Sequence, residues 1–233
     1  MPKLFFSMKD VRNDFSFLEL AEPNHQLYLS FKDNDCFSIS TQIEGLVLPD
    51  GYDIIRINDF VSDHEMMAKE STISLSNHPL ADIQKSFPKK SQIALVSHLE
   101  EKVVYYNKLI INYDIALSCK PVTQVLLWRT SDPRYRNVVR GLAEKVFFDY
   151  LLNNYDIIFS DNYQSIYGQR FWETCLLQAI DDGLYTYMYE QMSAKLVRLT
   201  RELFESKKVE IWGDEEKFAW ILAIISKSEI TKT

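Results

Sequence analysis

Glycine, proline and cysteine are scarce in this chain, at 6, 7 and 3 of 233 residues. So few glycines and prolines exclude a collagen-like or low-complexity chain. The cysteines, Cys36, Cys119 and Cys175, are odd in number and lack C-x-x-C spacing, so neither a disulfide framework nor a cysteine metal site is expected, and reduced thiols are. The four histidines, His25, His64, His78 and His98, show no ligand spacing, which argues against zinc. No apolar run approaches the ~20 residues of a membrane span. MPKLFFSMKD has too short an apolar run for a signal peptide, so a cytoplasmic protein with no membrane contact is expected. Phosphate-loop and G-x-S-x-G patterns are missing, which disfavours an NTPase or a serine hydrolase. Positive charge is also in deficit: 26 Lys and Arg against 33 Asp and Glu give a net charge of −7 and a pI near 5.2. That balance disfavours binding to nucleic acid or anionic membranes. The acids are interleaved with bases, which suits a solvated surface better than a nucleic-acid mimic.

What the chain has is aromatic bulk. Its 13 tyrosines and 14 phenylalanines favour strands and large packed surfaces over a plain helical bundle. A hydrophobic fraction of 46% is ordinary for a globular protein, and the length allows a core without disulfides. No repeat or flexible linker divides the chain, so one domain is expected, with residues 1–90 its divergent front part and 91–233 its core. In the front part, Leu27-Tyr28-Leu29-Ser30-Phe31 and Asp53-Ile54-Ile55-Arg56-Ile57 alternate like strands. Turn signals lie between them at Lys32-Asp33-Asn34-Asp35 and Leu48-Pro49-Asp50-Gly51. Asn77-His78-Pro79 opens a short helix through Ser86. Gln92 to Ser97 reads as a strand. Leu99 to Tyr113 fits either a hairpin turning at Glu100-Glu101-Lys102, with strands on to Leu117, or a helix with Leu99, Val103, Tyr106 and Ile110 on one face. The β-branched and aromatic pairs tilt the choice to the hairpin.

From Val122 the pattern sharpens. Val125-Leu126-Leu127-Trp128 is strand-like, and four arginines follow at 129, 134, 136 and 140. Val139, Leu142, Ala143, Val146, Phe147, Tyr150 and Leu151 then recur on one face of a long helix that starts at about Gly141 and ends at Asn153-Asn154. Tyr155 to Ser160 is a short apolar strand of the kind buried inside a sheet. A second helix carries Trp172, Cys175, Leu176 and Ala179 and is capped at Asp182-Gly183. Leu184 to Glu190 alternates as a two-faced strand. A third helix presents Leu196, Val197, Thr200, Leu203 and Phe204. Val209 to Trp212 and Phe218 to Ile225 form a closing hairpin. The fold class is α/β (α+β), a mixed central sheet flanked by helices.

A basic turn feeding a helix start is a place to hold an anion, because the first backbone N–H groups lack partners and the helix dipole is positive there. With its flanking elements, Val122 to Glu190 resembles the core of the Gcn5-related N-acetyltransferases. In that family a central strand splays from its neighbour and leads through Gln/Arg-x-x-Gly-x-Gly/Ala into a helix, and the loop amides hold the pyrophosphate of acetyl-CoA. The matching segment is Val138-Val139-Arg140-Gly141-Leu142-Ala143. Gly141 and Ala143 stand where the pattern asks for them, Val138 replaces the leading Gln/Arg, and Arg136 lies two residues early.

The resemblance implies acetyl-CoA or another acyl-CoA held by the amides of Val139, Arg140, Gly141, Leu142 and Ala143. Arg134, Arg136 and Arg140 would lie beside its phosphates and Trp128 beside the pantetheine arm. It implies direct attack of an amine, on a small molecule or a protein, at the thioester, with an N–H of the strand before the arginines stabilising the oxyanion. A tyrosine on the following helix often protonates the departing thiolate, and Tyr167 is the nearest match, Tyr163 the second. Asp161, at the carboxyl end of its strand, lies where open α/β sheets place ligands and is a candidate base. His98 and Glu100 are further candidates. The long front half, the acidity and the aromatic density look similar to small virus-encoded acetyltransferase-like proteins that modify or bind a host protein, so a catalytically silent interaction protein is the alternative. Each residue also has a plainer reading: Gly141 as a helix start chosen for close packing, the arginines as solvated charge, Trp128 as core, Asp161 as a turn cap, His98 and Glu100 as parts of a surface hairpin, and Cys175 as core.

Overall fold

Runs of Ile, Val and Tyr broken by short polar turns build one nine-stranded sheet in the computed structural model, which describes residues 15–59, 90–112, 117–118, 120–159, 166–212 and 221–232. Its strands are β1 (Cys36–Ser38), β2 (Tyr52–Asp59), β3 (Lys90–Ser97), β4 (Lys102–Asn112), β6 (Val122–Arg129), β7 (Asp156–Phe159), β8 (Tyr185–Glu190), β9 (Lys195–Arg198) and β10 (Ile221–Ser226), in the order β1-β2-β3-β4-β6-β7-β10-β8-β9. Two short strands, β5 (Leu117–Ser118) and β11 (Thr231–Lys232), pair apart as a ribbon. All pairings are antiparallel except that of β6 with β7. The mixed sheet with flanking helices is the architecture expected from the sequence.

Alternation along the strands gives the sheet two faces. One face carries Ile54, Ile93, Tyr105, Leu109, Val125 and Ile157. Three helical stretches cover it. The first runs from α2 (Arg136–Val139) through α3 (Leu142–Lys145), a π-helical turn (Val146–Leu151) and α4 (Leu152–Asn154); the others are α5 (Ile166–Asp181) and α6 (Arg201–Trp212). Phe159 stacks on Trp172 at 5.1 Å and on Trp212 at 6.1 Å, joining β7 to α5 and α6. On the other face α1 (Ala21–Asp33) seats Tyr28 and Phe31 on Ile55, Ile57, Ala94, Val96 and Tyr106. Leu117 of the small ribbon and Ile230 beside it cover Val122, Ile158 and Ile224.

Several expectations hold. Asp53 to Ile57 and Gln92 to Ser97 lie in β2 and β3. The hairpin reading of Leu99 to Tyr113 wins over the helix, with Glu101 at φ 49° in the turn. Gly183 ends α5 at φ 74°, and the Leu184 N–H donates to the Ala179 carbonyl at 2.9 Å, closing the helix end. Others are corrected. Leu27 to Phe31 is part of α1, because Asn24, Tyr28 and Phe31 recur at helical spacing and are the residues buried, while Leu27 and Leu29 are half-buried. Leu196 and Val197 lie in β9, paired with Tyr189 and Met188, and the third helix starts only at Arg201. There the Thr200 hydroxyl accepts from the Leu203 N–H at 3.2 Å, a helix cap. Val209 to Trp212 is the end of α6 rather than half of a hairpin: Phe204 and Ile211 share its buried side and Val209 is 70% exposed. Ile221 to Ile225 lies in β10, between β7 and β8. The expected helix at Asn77 to Ser86 falls outside the described residues.

Asn24 fastens α1 to the sheet. A β-bulge shifts the β3–β4 register between Leu95 and Val96. Beside it, the Val103 N–H donates to Asn24 Oδ1 at 2.8 Å, and Asn24 Nδ2 donates to the carbonyls of Val103 and Leu18, both at 2.8 Å. Removing that amide strands buried backbone groups at the bulge. Asn24→Ala should therefore cost about 2–3 kcal/mol in urea unfolding, and a loss within error of zero would show that α1 is held by its apolar face alone.

Candidate functional site

β6 and β7 pair over three residues, Val122 with Asp156, Thr123 with Ile157 and Gln124 with Ile158. β6 then runs on to Arg129, still paired with β4 on its other side. Alternation fixes where its backbone points. The Thr130 N–H donates to the Val104 carbonyl at 3.0 Å, so the even-numbered residues face β4. On the opposite side, the Pro121 carbonyl accepts from the Asp156 N–H at 3.2 Å. By the same parity Val125, Leu127 and Arg129 turn their N–H and C=O groups toward β7. Beyond Val125 these groups meet no strand among the described residues. Among the described residues the pairing of the two strands ends there, and the groups of Leu127 and Arg129 form a row of backbone donors and acceptors along a gap beside β6.

The chain leaves β6 through Thr130-Ser131-Asp132-Pro133. Asp132 caps the next turn, accepting from the Arg134 N–H at 3.0 Å and holding the Arg134 guanidinium through Nε and Nη2 at 3.0 and 2.7 Å. The Arg134 contacts keep the Asp132 carboxyl below its ordinary range. Arg134 also lies 3.5 Å from Glu100, which accepts the hydroxyl proton of buried Tyr135. After the single turn of α2, the Arg140 N–H donates back to the Arg136 carbonyl at 3.1 Å. Gly141 then turns at φ 68° and ψ −2°, the left-handed region where other residues are strained, and the space where a side chain would start is open. No side chain caps α3. The first intrahelical bond runs from the Lys145 N–H to the Gly141 carbonyl at 3.1 Å, so the amides of Leu142, Ala143 and Glu144 are the uncapped donors of this helix start.

The candidate residues distribute unevenly around this geometry. Gly141, Leu142 and Ala143 form the helix start, with Leu142 buried and Ala143 half-buried. Val139 is buried in the main core, and the Arg140 amide is committed to Arg136, so the exposed crest begins at Gly141. Val138 is half-buried and packs on the same core. Arg129, Arg136 and Arg140 are exposed and make no ion pair among the described residues, whereas Arg134 is occupied by Asp132 and Glu100. Trp128 packs on the opposite sheet face, against the cluster under α1, which matches its core reading. Tyr167 belongs to the first turn of α5. Asp161 and Tyr163 lie outside the described residues. His98 Nδ1 lies 3.3 Å from the Tyr28 hydroxyl and Glu100 is engaged by Tyr135, both in the β3–β4 turn.

Two features escaped the sequence reading. Asp132-Pro133-Arg134 carries the signal of a turn cap in addition to its charge. Asn107 gave no signal. It is buried on β4 directly opposite Leu127 of the parted stretch; its Nδ2 donates to the Tyr105 hydroxyl at 2.7 Å and its Oδ1 has no partner among the described residues. A groove of about 320 Å³ between the Gly141 helix and α5 is lined by Glu144, Asp149 and Asp182 against Lys145. The Lys145 ammonium is already held by the carbonyls of Glu44 and Gly45, at 3.2 and 3.3 Å. The groove thus has the wrong sign for a phosphate.

No family model matches the chain, and no curated protein does. Among solved structures it is similar to a crystal structure from Sphaerobacter thermophilus DSM 20745 provisionally described as an acetyltransferase. The identity is 12%, the match covers 82% of this chain and 99% of that one, and the TM-score is 0.27. A likeness of that size carries no argument about chemistry, so the functional reading rests on the geometry of the gap and the crest.

Burial pushes the Tyr105 phenol well above its ordinary value, with the Asn107 amide opposing the shift. A raised folded-state pKa leaves its share of stability intact below the unfolded value of about 10 and removes it as pH rises past that point. Tyr105→Phe should therefore flatten the alkaline decline in unfolding free energy between about pH 8 and 11, with Tyr135 and Tyr150, raised in the same direction, sustaining what remains. Superimposable pH profiles for the two proteins would contradict this.

Proposed function

We propose that this chain is an acyl-CoA-dependent N-acyltransferase, with acetyl-CoA as the acyl donor. The observation that supports the reading is the end of the described β6–β7 pairing at Gln124 and Ile158, next to a helix that starts at left-handed Gly141 with no side-chain cap. A pantetheine arm is a slender chain with two amides, and an unpaired strand edge is a natural partner for it. The backbone groups of Leu127 and Arg129 line the gap on the β6 side. The pyrophosphate would sit at the amides of Leu142, Ala143 and Glu144, where the dipole of the helix and the exposed guanidinia of Arg136 and Arg140 favour negative charge.

With the donor so held, an acceptor amine attacks the thioester carbonyl directly, and a β6 N–H facing the gap stabilises the oxyanion. Tyr167 is proposed to return a proton to the departing thiolate and Asp161 to take one from the amine. The acceptor is a small molecule or a protein amine.

A second reading keeps the fold and drops the turnover. It is favoured by Val138, which stands where the family pattern has a polar side chain and instead packs on the core. In this reading the chain binds and modulates a partner protein.

Thermal unfolding with acetyl-CoA and CoA tests the first reading, since a ligand that binds the folded state alone raises Tm. A saturable rise is expected, abolished in Gly141→Glu, whose carboxylate would occupy the open space above the crest. Arg136→Glu with Arg140→Glu should weaken binding more at low salt than at high salt. No rise at millimolar ligand sinks the acyltransferase reading, whereas binding without acetyl transfer to any amine supports the second.

A further inference from the structure

Arg56 stands out among the buried groups that the gap and crest leave unused. It lies on β2, two strands from β4, with 5% of its surface exposed. Its Nε–H is shared between Ser91 Oγ at 2.9 Å and Asn58 Oδ1 at 3.0 Å. Nη1 donates to the Tyr150 hydroxyl at 2.8 Å and Nη2 donates to the Tyr155 hydroxyl. Tyr150 and Tyr155 are themselves 4% and 8% exposed. Every partner is neutral, and no carboxylate pairs with Arg56 among the described residues.

A guanidinium has five N–H groups, of which the contacts above use three. Each phenol accepts from Arg56 and so keeps its own O–H proton for a different acceptor, and none is found among the described residues. Two N–H and two O–H donors thus surround one buried positive charge with no acceptor among the described residues. Buried donors are costly to leave unpaired and a buried charge more so. An oxyanion would satisfy the donors and the charge together.

We propose that Arg56, Tyr150 and Tyr155 form a binding site for a small oxyanion, separate from the crest at Gly141. The anion would accept from the spare guanidinium N–H groups and from both phenol protons. Arg and Tyr donors suit planar carboxylates and tetrahedral phosphates alike, so the shared chemistry is that of an oxygen-lined anion. The site joins β2 to the π-helical turn through Tyr150 and to the start of β7 through Tyr155. Its occupancy would therefore stiffen the approach to β7.

The test is thermal unfolding of the full chain, dialysed into chloride buffer and held at constant ionic strength, with inorganic phosphate, sulfate or acetate added. A saturable rise in Tm is expected, and whether phosphate and sulfate or acetate acts at lower concentration distinguishes a tetrahedral from a planar ligand. Tyr155→Phe, which keeps the charge and removes one donor, should weaken the apparent affinity about tenfold. Arg56→Met should abolish the rise; if that variant does not fold, Tyr150→Phe, with the same tenfold expectation, decides with Tyr155→Phe. Gly141→Glu should leave the response unchanged. No saturable rise up to on the order of 50 mM for any of the three anions overturns the proposal. A rise that survives both tyrosine variants and disappears in Gly141→Glu also overturns it, by placing the anion at the crest. So does the ultraviolet signature of a tyrosinate at neutral pH that vanishes in Tyr155→Phe, because the phenol would then carry the counter-charge itself.

Discussion

The parallel pairing of β6 with β7 governs the arrangement around the gap. It is the single parallel contact in the described sheet, and its described part spans three residues. β7 has only four residues, all buried, and Phe159 at its end is drawn to Trp172 and Trp212 while pairing with β10. β6 is held along its full length by β4. Phe159 thus ties β7 to the aromatic helices, while β6 is tied to the front of the sheet. The connection between them must cross over one face, which brings the Arg-rich turn and the Gly141 helix start to the mouth of the gap.

The second half of the chain was largely legible because its elements bury one clear face. The run from Val139 to Leu151, the strand at Tyr155 and the helix of Trp172 and Cys175 each bury a recurring apolar set, and Gly183 marks an end that only a left-handed residue closes easily. The front half misled where a pattern was short. Five alternating residues at Leu27 resembled a strand because Tyr28 and Phe31, neighbours on a helix, are separated there by half-buried residues. Pro23, within the first turn of α1, was the overlooked helix signal. Leu196 and Val197 became a strand through pairing with β8, a contact no local pattern announces.

The candidate site was legible in the same uneven way. Gly141 could be read because its backbone requirement is written in the residue type. The engagement of Arg134 by Asp132 and of Glu100 by Tyr135 is tertiary geometry, invisible in a count of basic residues. The four arginines therefore differ in kind: one is consumed in shaping the loop, and three keep exposed guanidinia. Where the described β6–β7 pairing ends is a matter of strand register, which a linear sequence does not state.

The helix behind the crest is not a uniform cylinder. From Val146 to Leu151 it is wound as a π-helix, so that Val146, Phe147, Tyr150 and Leu151 all turn inward, and Phe147 meets Trp172 at 5.5 Å. Each residue of an α-helix advances about 100° around its axis. A turn holding one residue more than the α form therefore sets the angular offset between the two ends of the segment. The aromatic core clamps the far end at Tyr150 and Leu151. The compass bearing of the Leu142, Ala143 and Glu144 amides is consequently fixed by how loosely the middle is coiled, so the aim of the crest is decided by a single supernumerary residue within the core.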